Sequence, residues 1–143
     1  MTVYLEDLAP GMQASLTHTV TGEDIELFAQ STGDRNPVHF DEEFARKTVF
    51  RGRVAHGALL MGYASAVIGN QLPGPGTIFS GAIVDFKAPV RPGDTVTVTC
   101  TVRAIAGRSV TLDCVAMVGG TEVAHMEARA IAPKRPAGRK APG

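Results

Sequence analysis

The stretch VAHGALLMGYASAVIGNQL, Val54 to Leu72, decides the fold. Read as a helix, it carries Leu59, Leu60, Met61, Tyr63, Ala64, Val67 and Ile68 around most of its circumference. A helix that is apolar on all sides must be covered on all sides. Membrane lipid is not the cover, because a span needs ~20 apolar residues and this run is interrupted by His56, Gly57 and Gly62. The rest of the chain must therefore supply the cover.

It does so downstream. Thr95 to Val102 alternates strictly between threonine and an apolar residue, valine or cysteine, and Val110 to Cys114 alternates between apolar and polar in the same way. Each such run puts one face on a core. Thr121 to Ile131 carries Ala124, Met126, Ala128 and Ala130 on one face and His125, Glu127 and Arg129 on the other. Gly107-Arg108 and Gly119-Gly120 mark the turns. Thr77 to Lys87 predicts an earlier strand, and Met12 to Val20 a first one. About five antiparallel strands curved around one helix give an α+β domain. A single sheet leaves edges and an outer face to manage, so at least a dimer is expected. For Cys100 and Cys114 to share the core face, their hairpin loop must hold an odd number of residues. A three-residue loop, Ala106 to Arg108, would set the thiols opposite one another.

Upstream, Thr21 is placed to cap a helix over GEDIELFAQSTG, with Asp24 three positions on and Gly33 at its end. Then comes STGDRNPVHFDEEFA, Ser31 to Ala45, which sets Asp34, Asn36, His39 and Asp41 within eight positions around Pro37. A carboxylate and an imidazole five residues apart on a stiffened, irregular segment are the parts needed to move protons on and off water. A short helix is expected from Asp41. Asp34, His39, Asp41 and His56 are also metal-ligand types, but no HxxxH or HxH spacing joins them, and no metal is expected. His18 and His125 lie in strand-like runs and are expected at the surface.

Composition bounds the function. The 143 residues are 44% hydrophobic and 20% charged, ordinary for one soluble domain. Formal net charge is zero, which gives nucleic acid no overall attraction. Lys134, Arg135, Arg139 and Lys140 fall in the last eleven residues, PKRPAGRKAPG, so the remainder is mildly acidic. A domain over residues 1–132 followed by a disordered basic tail over 133–143 is expected. The N-terminus, MTVYLEDLAPGM, lacks the positive start and apolar run of a secretory signal. Cysteines in strand-like alternation rather than metal spacing point to a reducing, cytoplasmic setting, with no membrane partner.

Asp34, Asn36, Pro37, His39 and Asp41, then Val54-Ala55-His56-Gly57 with Leu59 and Ser65, together with FKAPVRPGDTV (Phe86 to Val96), resemble the MaoC-like (R)-specific enoyl-CoA hydratases of the hotdog-fold superfamily. The similarity runs from about Thr21 to Ile131. It implies a single hotdog, usually dimeric, that adds water reversibly to trans-2-enoyl thioesters. It further implies Asp34 and His39 as the catalytic acid/base pair and Gly57 as the backbone donor to the thioester oxygen. Asn36, His56 and Ser65 match positions that line or brace the site. On this resemblance no cofactor is needed, since the CoA thioester is the substrate.

A (3R)-hydroxyacyl-ACP dehydratase and a non-catalytic acyl-thioester-binding subunit are the alternatives. Arg51, Arg53, Lys87 and Arg91 are candidate partners for CoA phosphates. Leu72, Phe79 and Ile83 are expected to shape the pocket floor, with Gln71 to Gly76 bordering it.

Overall fold

The computed structural model describes residues 1–138, 140 and 141. Strand β1 (Gln13–Thr19) leads into helix α1 (Gly22–Thr32), a 3-10 turn at Pro37–His39, helix α2 (Glu42–Arg46) and helix α3 (Gly57–Asn70). Strands β2 (Ile78–Phe86), β3 (Thr95–Ala106), β4 (Ser109–Val118) and β5 (Thr121–Ile131) follow. They form one antiparallel sheet in the order β1-β3-β4-β5-β2. Helix α3 lies in its curve, packed on β1, β2, β3 and β5. This is the hotdog arrangement.

The alternating strands do what their period requires. Val96, Val98, Cys100 and Val102 of β3, Val110, Leu112, Cys114 and Ala116 of β4, and Ala124, Met126, Ala128 and Ala130 of β5 are all buried. They meet Leu60, Ala64, Val67 and Ile68 of α3. The opposite face is polar. Across β1 and β3, hydroxyls pair at Ser15–Thr99 (3.0 Å), Thr17–Thr97 (3.0 Å) and Thr19–Thr95 (2.8 Å). The outer face therefore needs no partner, and the expectation of association passes to the edges.

Helix α3 is not covered on all sides. Ala58, Gly62 and Ser65 are exposed, so the sheet encloses its large apolar side chains and leaves a line of small ones to solvent.

The cysteine register holds, by a different route from the expected loop. Cys100 pairs with Cys114, but the turn is only Gly107-Arg108, since Ala106 pairs with Ser109. The odd residue comes from a bulge between Val102 and Ala104, which leaves Arg103 unpaired. Arg103 then reaches Asp113 (3.0 Å) and Glu127 (2.9 Å) on the outer face.

Helix α1 begins as its sequence dictates. Thr21 Oγ1 accepts the Asp24 N–H at 3.1 Å, and Asp24 Oδ2 accepts the Thr21 N–H at 2.9 Å. His18 adds a bond to the same Oδ2 at 2.8 Å. Gly33 closes the helix at φ +81°, a conformation a side chain would resist.

The basic stretch after the last strand is tied down at its start. The Leu5 N–H donates to the Pro133 carbonyl at 2.9 Å, and the Arg135 N–H to Glu6 Oε2 at 2.9 Å. The Arg135 guanidinium also bonds Asp7. Arg139 lies outside the described residues.

Replacing Thr21 with Ala removes one half of the capping box. It should lower stability by about 1 kcal/mol. At this chain length that is roughly a 3–5 °C fall in midpoint on thermal melting, and an unchanged midpoint would refute the capping role.

Candidate active site

Three backbone devices assemble the site. The first is the end of α1: Gly33 turns the chain, and Asp34 follows directly, exposed, its Oδ1 accepting the Asn36 N–H at 3.2 Å. The second is the 3-10 turn. Asn36 caps it by accepting the Val38 N–H at 3.2 Å, and Pro37 supplies a preset φ. This carries His39 inward, where it is only 8% exposed. The third is the start of α3, where Gly57 heads the helix with a free N–H.

The two histidines are held by carbonyls. His39 Nδ1 lies 2.7 Å from the Val54 carbonyl oxygen. A carbonyl only accepts, so Nδ1 carries the hydrogen and Nε2 presents a lone pair. His56 Nε2 donates to the Asp34 carbonyl at 3.0 Å, tying the carboxylate's own backbone to the helix start. The rings stack, with centroids 3.8 Å apart and planes at 31°, and Phe28 of α1 lies against His56 at 4.6 Å. One donor atom each from Asp34, His39 and His56 lie within 4.8 Å of one another. By ligand type this set suits a divalent ion. One nitrogen of each ring, however, is already engaged by a carbonyl, Nδ1 of His39 and Nε2 of His56.

Burial pulls the His39 pKa below its ordinary value of 6.5, and the neighbouring His56 ring acts in the same direction. The Val54 carbonyl and the Asp34 carboxylate oppose this and do not overcome it. His39 is thus a neutral imidazole near pH 7, ready to accept a proton at Nε2.

Beside it opens a cavity of about 360 Å³. Asn36 and His39 supply polar wall, and Val38, Phe50, Val54, Leu60, Phe86 and Val90 supply apolar wall. Gly57 is in the lining too. A Cβ there would stand 3.0 Å from Phe86 Cε1 and Cζ, so a side chain could enter only if that ring shifted, and glycine leaves the helix start accessible beneath it.

Of the residues singled out in the sequence, Asn36, His39 and Gly57 line the cavity, and Asp34 lies beside His39 without lining it. His56 joins them as a brace and is absent from the cavity wall. Ser65 does not join them: it is exposed on α3, eight residues beyond Gly57, or about 12 Å at the ordinary helical rise. Asp41 caps α2 through the Phe44 N–H at 3.0 Å. Leu72, Phe79 and Ile83 line no part of the cavity, and Gln71 to Gly76 pack on the N-terminus instead, with the Val3 N–H on the Pro73 carbonyl at 2.7 Å.

Sequence reasoning missed the Val54 carbonyl and the Phe50, Leu60 and Phe86 walls. Of these, Val54 and Phe86 lay within segments already noted for their resemblance. Arg53, singled out only as a candidate for CoA phosphates, also donates from Nε to the His39 carbonyl at 2.7 Å.

Proton NMR titration of the His39 ring should give a pKa below 6.5. The unfolded chain then binds this proton first as pH falls. Stability contributed by neutral His39 is therefore complete above about pH 6.5 and is lost as pH falls from there through the folded value. A His39 pKa at or above 6.5 would contradict the buried, neutral ring.

Comparison with known proteins places this geometry. Residues 8–125 match the family described as MaoC like domain. An (R)-specific enoyl-CoA hydratase of Rhodospirillum rubrum is 46% identical over 134 residues, covering 92% of this chain and 93% of that protein. A 3-hydroxybutyryl-CoA dehydratase of Methylorubrum extorquens is 41% identical, covering 93% and 86%. Among solved structures, an (R)-hydratase of Pseudomonas aeruginosa superposes with a TM-score of 0.88 at 34% identity, covering 99% of this chain and 95% of that one. The breadth of these matches and the shared architecture agree: the chain belongs to the MaoC-like domain family and has the hotdog fold.

Proposed function

We propose that this hydro-lyase adds water reversibly to trans-2-enoyl-CoA to give (R)-3-hydroxyacyl-CoA, with Asp34 and His39 as its acid/base pair. The observation that carries the reading is one juxtaposition. A neutral His39 with Nε2 free and the Asp34 carboxylate sit together beside an apolar cavity that also holds the Gly57 helix start.

The chemistry follows from those atoms. A water held between the Asp34 carboxylate and His39 Nε2 gives its oxygen to C3 of the enoyl group. The proton taken from that water is returned to C2, so the elements of one water are added and nothing else is consumed. In between, negative charge gathers on the thioester oxygen. The Gly57 N–H and the positive end of α3 are placed to stabilise it. The apolar wall of Val38, Val54 and Leu60 suits the acyl chain and keeps bulk water from the enolate. No bound cofactor is called for, because the thioester is itself the CoA-bearing partner. Agreement with relatives named as (R)-specific hydratase and as CoA dehydratase supports this reading and its stereochemistry.

Two further features belong to the proposal. The protein acts as a homodimer through β2, the sheet edge left with Ile78 62% and Ile83 65% exposed. A second copy there would also approach Phe86 and the small-residue line of α3 that carries Ser65. A cytoplasmic setting belongs to the proposal too, and the reading of Cys100 and Cys114 as strand residues paired across β3 and β4 supports it.

Loss of enoyl-thioester absorbance with crotonyl-CoA tests the reaction. The wild type should turn over to the (R)-alcohol on chiral analysis, and Asp34→Asn and His39→Gln should each fall at least about a hundredfold. Turnover confined to an acyl-carrier-protein thioester would instead identify a dehydratase of that carrier. Thioester binding without turnover would identify a non-catalytic subunit.

The edge is tested by Ile83→Asp, which should run as a monomer in light scattering while keeping a cooperative melt. A dimer that survives this change would place the interface elsewhere.

A further inference from the structure

Beyond the rim of the cavity lies a second recess of about 390 Å³, lined by Arg51, Arg53 and Arg91 with Gly52, Pro92 and Glu42. The two are continuous along two chain segments. Phe50, Val54 and Val90 wall the cavity, and the residues between and after them, 51–53 and 91–92, wall the recess.

Three guanidinium groups gathered in one concavity face a single carboxylate, Glu42. Arg53 and Arg91 are fixed by backbone carbonyls: Arg53 Nε by His39 at 2.7 Å, Arg91 Nη1 by Arg53 at 3.4 Å, and Arg91 Nη2 by Phe50. Such bonds orient a cation without neutralising it. Gly52, buried between them, keeps the recess closely packed, since a Cβ there would meet Arg91 Nη1 and Glu42 Oε1 at 3.2 Å each.

Arg51 differs from the other two. It is exposed, with no hydrogen bond or ion pair to its side chain among the described residues, and its backbone is at φ +60°. It is the one non-glycine with positive φ among them. That conformation favours Gly or Asn, so an arginine held there points to what the side chain does rather than to what the backbone prefers. The fourth candidate cation, Lys87, is already paired with Glu122 at 3.1 Å.

We infer that this recess is the anion site for the nucleotide phosphates of the CoA carrier, with Arg51 as its mobile clamp and Arg53 and Arg91 as its fixed floor. The inference rests on the hydratase reading above. A planar guanidinium matches phosphate oxygens two at a time, and a concavity with three cations to one carboxylate focuses a net positive field on an arriving anion. The recess thus selects the carrier, while the cavity selects the acyl group. Because Arg53 also holds the His39 carbonyl, filling the recess is linked to the catalytic loop through a single side chain.

The test separates carrier from chemistry. Wild type, Arg51→Asn and Arg51→Lys are compared on crotonyl-CoA, crotonyl-3′-dephospho-CoA and crotonyl-N-acetylcysteamine, the last bearing no phosphate. Asparagine tolerates the left-handed backbone, so the first variant should fold, which a thermal melt checks. Arg51→Asn should raise KM for crotonyl-CoA by about tenfold with kcat within about twofold, leave the N-acetylcysteamine thioester unchanged, and be largely restored by Arg51→Lys. The wild-type KM for crotonyl-CoA should also rise with salt more steeply than the variant's.

Equal effects on all three thioesters, or no effect on any, would overturn the inference. So would a crotonyl-acyl-carrier-protein substrate that binds tighter than crotonyl-CoA and is the more sensitive to Arg51→Asn, which would assign the recess to that carrier instead. If the wild type hydrates none of these thioesters, the hydratase reading fails, and calorimetry with adenosine 3′,5′-bisphosphate decides the recess. Binding by wild type and not by Arg51→Asn would uphold it, and binding by neither would end it.

Discussion

Everything in this molecule depends on enclosing one helix that water cannot hold. Leu60, Ala64, Val67 and Ile68 of α3 are buried in one core with the inner face of the sheet, and full burial of a large aliphatic side chain stabilises by roughly 1.5–3 kcal/mol. That enclosure places the N-terminus of α3 at the open end of the curved sheet. An end with unpaired N–H groups cannot be buried without partners, so it comes to face the one cavity wall that also holds Asn36 and His39. The position of the reactive groups is therefore a consequence of packing rather than an addition to it.

Backbone carbonyls hold the two imidazoles. The Val54 carbonyl fixes His39, the Asp34 carbonyl fixes His56, and the His39 carbonyl in turn accepts from Arg53. This closes a loop of contacts among the end of α1, the 3-10 turn and the start of α3. Ring orientation and tautomer are both settled by it. Burial, and then the His56 ring stacked at 3.8 Å, oppose charge on His39. The result is an imidazole oriented to accept a proton, set beside the exposed Asp34 carboxylate.

How much of this can be read in the chain depends on the range of the interaction. The Thr21–Asp24 cap, the glycine that ends α1 and the two-residue periods of β3, β4 and β5 are local, and each is legible from neighbouring residues. Asp34, Asn36 and His39 are legible as a group because one short turn carries them all. The bulge at Arg103 is not, since it exists only in relation to the partner strand, and parity alone cannot tell a longer turn from an extra residue within the strand. His56 and Ser65 show the same limit. A side chain whose partner is a carbonyl 22 residues away looks like any buried polar group, and helical spacing does not say which side of α3 the sheet will cover. The cavity walls come from Phe50, Phe86 and Val90, on three separate segments, so no single window of sequence contains them.

The edges of the sheet show why site and surface cannot be considered apart. The β1 edge is moderated by polar contacts: His18 is engaged by Asp24, and Gln71 donates to the Ser15 carbonyl at 3.0 Å. The outer face carries a ladder of hydroxyl pairs. Neither surface favours apolar contact. The β2 edge is different, since Ile78, Ile83 and Phe86 are all more than half exposed. Phe86 belongs at once to that edge and to the cavity, and its ring lies against Gly57 so closely that a single added carbon would press on it at 3.0 Å. Any displacement of the end of β2 must move that ring, and moving the ring changes access to the first N–H of α3. Whatever covers the β2 edge thus acts on the geometry of the reactive centre, because one aromatic side chain is shared between them.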